Sequence, residues 1–181
     1  MESAAALQGW LAGHGIFTAE WGQGQAKSVA DLWVEVVCGE SVLVVDPPRR
    51  LVQVVQIEVW QDGRRVLEAE QEMEDGRFRP RHHPPSEKIK PGESVQEAAL
   101  RCLAEELGVE KTAVTFLPHP PTTQHHLADS HSYPGLLTEY TLHTIHVAVI
   151  GLPTAPFWRD NRAAAQGDPV RRHRWEWEGG D

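Results

Sequence analysis

Two neighbouring glutamates, Glu105 and Glu106, stand near the end of a stretch with helical periodicity and are the residues best suited to chemistry in this chain. Each residue of an α-helix advances by about 100°. Measured from Cys102, Glu106 lies at about 40° and Glu105 at about −60°, so the two carboxylates cover roughly 100° of one helix surface. Beside a loop, such hard oxygen donors suit Mg²⁺, which takes one or two carboxylates and leaves its other positions to water and substrate phosphate. A bare Glu-Glu pair is also an ordinary solvated helix face, so the surroundings must carry the functional reading. Pro91-Gly92-Glu93-Ser94 is a tight turn that opens the helix, with acidic residues in its first turn where the dipole favours them. Glu93 and Arg101 are separated by about two turns, with Glu97 between them, a spacing at which an ion pair can brace the loop to the helix.

The stretch from Glu87 to Val109 resembles the signature of the Nudix family, G-x5-E-x7-R-E-U-x-E-E-x-G-U, in which U is a bulky aliphatic residue. Glu93, Arg101, Leu103, Glu105, Glu106, Gly108 and Val109 fall in register, seven of the nine specified positions. The resemblance implies an α+β chain, a Nudix-type α/β/α sandwich with a mixed central sheet and a loop–helix box. It implies hydrolysis of the pyrophosphate bond in a nucleoside diphosphate linked to another moiety, with Mg²⁺ or Mn²⁺ as cofactor. Glu105, Glu106 and Glu87 are the implied metal ligands, and Glu93, Arg101 and Gly108 the structural residues of the box. Family members often draw a catalytic glutamate from a distant loop or strand. Glu139 is taken for that part beside Glu105 and Glu106, with Asp129 and Glu87 as alternatives.

Two positions depart from the pattern. Glu87 replaces the leading glycine, whose carbonyl commonly completes the family's metal shell. A glutamate keeps that carbonyl and adds a carboxylate, but it restricts a backbone that needs φ > 0. Cys102 replaces the glutamate that in the family lies on the metal face. A thiol is a soft ligand for a hard ion, and losing a general base costs about 10²–10⁴ in rate. The alternative reading is therefore a catalytically impaired Nudix-fold binding or regulatory module. Cys102 as a nucleophile is disfavoured, because Glu105 and Glu106 would raise its pKa rather than lower it.

Arg77, Arg79 and Arg81 alternate just before the box, so on a strand all three share a face and could grip a diphosphate through bidentate bonds. Gln71 and Glu72 end the strand before them. His82-His83 and His125-His126 with His131 fall in Pro-rich stretches without ligand spacing on a regular scaffold, and read as surface loops rather than a zinc site. His143 and His146 lie on opposite faces of a strand.

The elements that must position these residues follow from periodicity. Residues 3–13 read as a helix capped by Ser3, followed by a loop at Gly22-Gln23-Gly24-Gln25. From Asp31 the pattern reads as β, with strands at 32–37, 42–45 and 51–60. Gln61-Asp62-Gly63 makes a hairpin into 66–71, and Asp75-Gly76 a second reversal into 77–81. Residues 82–92 read as a loop, 95–107 as a helix ended by Gly108, and 114–117 as a strand. A long loop, 118–132, precedes an extended strand within 133–150, and 161–166 is a short helix. The organisation expected is an N-terminal helix and loop (1–30), a Nudix-like domain (31–153) and a C-terminal tail (154–181). The tail carries Arg171-Arg172-His173-Arg174 and two tryptophans, Trp175 and Trp177, which could anchor to a partner or to the domain's own sheet. Substrate choice is assigned to 73–86 and 118–137, outside the box.

Length and composition bound the rest. The chain has 181 residues, 40% hydrophobic and 24% charged, which suits a single globular domain with short appendages. Lys+Arg number 17 against 26 Asp+Glu, a formal charge of −9, so bulk attraction to nucleic acid or anionic lipid is not expected. The expected partner is a nucleotide-type diphosphate ligand, with no membrane, and a homodimer is implied by the resemblance. Cys38 and Cys102 are too few for a disulfide framework and read as free thiols of a soluble cytoplasmic protein.

Overall fold

Ser3 accepts a hydrogen bond from the amide of Ala6 (3.1 Å) and so starts helix α1, Ala4–Gly13, in a computed structural model that describes residues 2–24, 26–166 and 168–179. Gln25 of the expected glycine loop and the last two residues of the tail lie outside the described residues. There follow α2 (Val29–Val37), β1 (Val42–Val45), β2 (Pro48–Gln61), β3 (Arg64–Met73), β4 (Phe78–His83) and β5 (Ser86–Lys88). Helix α3 (Val95–Cys102) continues as a π turn, Leu103–Leu107. After a 3-10 turn at Lys111–Ala113 come β6 (Val114–Phe116), β7 (Thr122–Asp129), β8 (Leu137–Val149) and β9 (Phe157–Asp160). A 3-10 turn at Arg162–Gln166 leads to β10 (Val170–Glu178). The class is α+β. No helix among the described residues is long and apolar enough to cross a membrane.

The chain divides into two compact units. The first holds the residues up to Val54 with Lys88–Glu93 and Thr123–Leu142. Its core is Leu7, Leu11, Ile16, Trp21, Leu32, Tyr133 and Leu136, with Trp33 and Val36 packed against it. Residues 32–37, expected as a strand, are helix α2. Ser28 and Asp31 form a capping box, Ser28 Oγ accepting from the Asp31 amide (3.2 Å) and Asp31 accepting from the Ser28 amide (2.7 Å). Leu32 and Glu35 are its buried residues. A charged residue on the inward stripe hid the helical period among β-branched neighbours.

Glu35 is 5% exposed and is the polar centre of this unit. It accepts from Arg50 Nη2 (2.7 Å), Ser41 Oγ (2.9 Å), Lys27 Nζ (2.9 Å) and the Tyr133 hydroxyl (3.0 Å), and pairs with Lys88 Nζ at 2.6 Å. Burial alone would push this carboxyl up, but Lys88, Arg50 and Lys27 outweigh it and hold the group below the usual carboxylate range. Gly39 has φ +74°, and a Cβ there would sit 2.2 Å from Pro91 Cγ, so the turn after α2 needs glycine. The expected loop at 118–132 contains strand β7, most of it exposed and paired with β8.

The second unit holds Val55–Glu87, Ser94–Thr122 and the residues from His143 onward. Its strands run in the order β6-β8-β2-β3-β10-β9, with β4 on β3 and β5 on β2. The β2–β3 hairpin turns at Asp62 and Gly63, both with positive φ, as the Asp-Gly pair predicts. Its core includes Val55, Ile57, Val59, Val66, Ala98, Ala99, Cys102, Leu103, Leu107 and Trp175. The expected loop at 82–92 is partly strand, since β4 reaches His83 and β5 follows. Residues 154–181, expected as a tail, supply β9 and β10. Strand β10 pairs antiparallel with β3 from Val170↔Met73 to Glu178↔Arg65, and Trp175 and His173 are 0% and 2% exposed. Of the two expected anchorings of the tail tryptophans, the domain's own sheet is the one that holds Trp175.

Candidate functional site

Helix α3 begins with a second capping box. Ser94 Oγ accepts from the Glu97 amide (3.2 Å) and Glu97 accepts from the Ser94 amide (2.8 Å), so Glu97 serves the helix start. After Cys102 the helix widens into the π turn that carries Glu105 and Glu106, and Gly108 ends it at φ +68°. π turns inside helices are frequent at functional sites. The wider turn also shifts both glutamates from the angles an α-helix would give them.

Within the second unit the structure gathers Glu87, Arg101, Glu105, Glu106, Arg79 and Arg81. Arg101 Nη1 pairs with Glu87 at 3.2 Å and with Glu105, one turn along, at 3.6 Å. It therefore ties strand β5 to the π turn, and Glu87 enters the site through a carboxylate. Glu106 is half-buried. Burial first, then the nearby carboxylates of Glu68, Glu87 and Asp168, push its carboxyl well above the usual range, with Arg81 acting in the opposite direction. Cys102 is 0% exposed, and burial, Glu106, Glu87 and Glu68 push its thiol well up. A neutral, buried thiol is neither a nucleophile nor a ligand for a hard ion.

Strand β4 begins at Phe78, so Arg77 lies in the preceding turn, exposed and paired with Asp75 at 2.7 Å. Arg79 and Arg81 share a face. Arg79 donates from Nε to Gln71 Oε1 (2.9 Å) and also from Nη2, and Arg81 donates from Nε to Glu68 Oε2 (3.1 Å). Gln71 and Glu68 are three apart on β3 and would face opposite ways on a regular strand. The register with β4 shifts between Glu68 and Glu70, and this irregularity brings both side chains together, with Gln71 Nε2 donating to Glu68 Oε1 at 2.7 Å. Glu68 also bonds the ring of His173 on β10, Nδ1 to Oε1, at 2.5 Å. Burial acts to raise the Glu68 carboxyl, but the His173 bond, Arg81 and Gln71 together hold it below its ordinary value. Glu68 and His173 were not expected from the sequence. A charged residue inside the apolar run Val66-Leu67-Glu68-Ala69 was the one available signal.

The remaining expected residues belong to the first unit. Glu93 accepts from the Lys90 amide (3.0 Å), closing the loop before α3. Glu139 pairs with Arg49 Nε at 3.1 Å beside a cavity of about 230 Å³ lined also by His125, His126, Leu127, Leu137 and Pro47. Asp129 is exposed at the end of β7.

The donors around the π turn are hard carboxylate oxygens, as a divalent cation requires, and the mutual opposition of Glu106, Glu68 and Glu87 is what a dication would relieve. In this conformation Arg101 holds two of these carboxylates, and among the described residues no three His, Cys, Asp or Glu side chains converge as a metal centre. The chemistry of these oxygen donors suits such an ion.

Comparison with known proteins places the chain. Among solved structures it is similar to a NUDIX hydrolase from Nitrosomonas europaea, at 22% identity and TM-score 0.43, over 68% of this chain and 70% of that one. It is similar to a C. elegans Ap4A hydrolase at 18% identity and TM-score 0.36, over 70% and 79%. The E. coli ORF135 protein aligns at 19% identity and TM-score 0.36, over 70% and 72%. No curated protein matches. The sequence profile of the NUDIX domain matches residues 49–161, which take in both arginines of β4 and the whole loop–helix segment. That span is well over half of the chain, and the chain belongs to the NUDIX domain family.

Proposed function

We propose that this protein hydrolyses the pyrophosphate bond of a nucleoside diphosphate linked to another moiety, with Mg²⁺ or Mn²⁺. The observation that carries the reading is the π turn that ends the box, where Arg101 holds Glu87 at 3.2 Å and Glu105 at 3.6 Å beside the half-buried Glu106. Glu105, Glu106 and Glu87 would hold the ion, whose chemistry when bound is to polarise the diphosphate and lower the pKa of the attacking water. Arg101 orients Glu87 and Glu105. Arg79 and Arg81 would take phosphate oxygens, and Gly108 ends the π turn so that Glu105 and Glu106 stay at its last turn. Arg77, paired in a solvent-exposed turn, would add only long-range attraction. Both cysteines are free thiols, which fits a reducing, cytoplasmic setting.

The test is phosphate release from a panel of nucleoside diphosphate compounds with Mg²⁺ or Mn²⁺, followed by coupled phosphatase assay. We expect Glu106→Gln to lower kcat/KM by about 10² or more, and Glu139→Gln to do the same if it is the base. Full activity in Glu106→Gln overturns the proposal, and full activity in Glu139→Gln removes that residue from it. The buried Cys102 favours a second reading, a Nudix-fold binding module. Turnover absent from the wild type and present in Cys102→Glu would decide for that reading.

A further inference from the structure

Arg79 and Arg81 do not stand alone on β4. Each is held by a side chain of β3, and the two holders are joined through the Gln71–Glu68 bond. Glu68 is 2% exposed and Gln71 6%, so these are charge-assisted or amide bonds in a low-dielectric interior, where geometry is stiff. The network has a root on a third strand. His173 of β10 is 2% exposed and its ring stacks on the fully buried Trp175 at a centroid distance of 5.7 Å. Its Nδ1 lies on Glu68 Oε1, while its Nε2 is buried with no hydrogen-bond partner among the described residues. The bond to Glu68 is therefore what gives this histidine its polar purpose. Arg81 spends only Nε on Glu68, and its terminal nitrogens can still offer a fork to an oxyanion. Strand β10 lies beyond the region that matches the family profile, which stops at residue 161.

We propose that His173 is a positioning residue for diphosphate binding: from outside the matched family region it fixes Glu68, and through Glu68 and Gln71 it sets the guanidiniums of Arg81 and Arg79. The proposal rests on the reading of those two arginines as the phosphate-binding groups. Without the His173 bond, Glu68 can rotate away from Arg81, and the arginine pair loses its preorganised spacing. The effect falls on binding and leaves the carboxylates of the π turn in place.

The experiment measures ADP binding by calorimetry and, with a cleaved substrate, KM and kcat separately, on the full-length chain. The variants are His173→Phe, which keeps a ring on Trp175, His173→Asn, which can restore a donor near Nδ1, Glu68→Gln and Arg81→Gln. We expect His173→Phe to raise Kd and KM about ten-fold, the size of one lost charge-assisted hydrogen bond, with kcat within about three-fold. His173→Asn should return at least half of that loss on a logarithmic scale. If His173→Phe fails to fold by circular dichroism, Glu68→Gln carries the test, with the same rise expected. The proposal is overturned if these variants fold and bind ADP as the wild type does, or if kcat falls while KM stays. Arg81→Gln separates the two levels: a raised Kd there with an unchanged His173→Phe sinks only the positioning role. No effect of Arg81→Gln, or no ADP binding by the wild type, sinks the phosphate reading on which it stands.

Discussion

Cys102 is the residue at which family pattern and local physics meet. Its side chain is fully buried, and Glu106, Glu87 and Glu68 all bear on it electrostatically. A glutamate there would place a further carboxylate among three others, with Arg101, already paired with Glu87 and Glu105, as the cation that bears on it. We expect Cys102→Glu to cost on the order of 3 kcal/mol of stability in chelator, as an unpaired buried charge does. Millimolar Mg²⁺ or Mn²⁺ should recover most of the lost Tm, a larger rise than the same ion gives Cys102→Ser, which keeps only the other holders. Thermal melts with and without cation decide it. A Cys102→Glu melt that ignores the metal would mean that position 102 does not face an ion site.

Helix α2 shows how one buried charge can organise an element. Glu35 meets Arg50, which is 3% exposed, along with Lys27, Lys88 and the Tyr133 hydroxyl. Its carboxyl is held below the ordinary value near 4.3, so its contribution is complete above that pH and is lost as pH falls through the lower folded value. Glu35→Gln leaves the buried Arg50 without its anion, and we expect a loss of about 3–5 kcal/mol at pH 7 in urea unfolding. The gap to the wild type should narrow as pH drops below about 4, because the carboxyl of the unfolded wild type then takes up a proton that the folded one, held lower, does not. A constant gap from pH 7 to pH 3 would contradict this account.

For the molecule as a whole, β10 is the element whose place matters most. It runs along β3 for the length of that strand, adds Trp175 to the core, and brings His173, Arg171 and Arg172 to Glu68 and Glu72. A chain ended at Asn161, where the family match stops, would bare the β3 edge and the cavity left by Trp175. Exposed edges pair with other chains. We expect this truncation to lose cooperative unfolding and to run as aggregates in size-exclusion chromatography. A monomeric, cooperatively folded product would show that β10 is dispensable.

What could be read directly from the sequence was local. The box from Glu87 to Val109, the Asp62-Gly63 hairpin and the shared face of Arg79 and Arg81 each depend on residues within a few positions of one another. Helix α2 was misread because a buried Glu35 interrupts its apolar stripe, although the Ser28–Asp31 capping box was there to be seen. The tertiary structure alone decided the rest. Glu35 meets Tyr133 across 98 residues, and Glu68 meets His173 across 105. Such pairs leave no periodicity, since a buried charge takes its partner from whichever strand the sheet order brings alongside, and a register shift on β3 chooses which side chains face it.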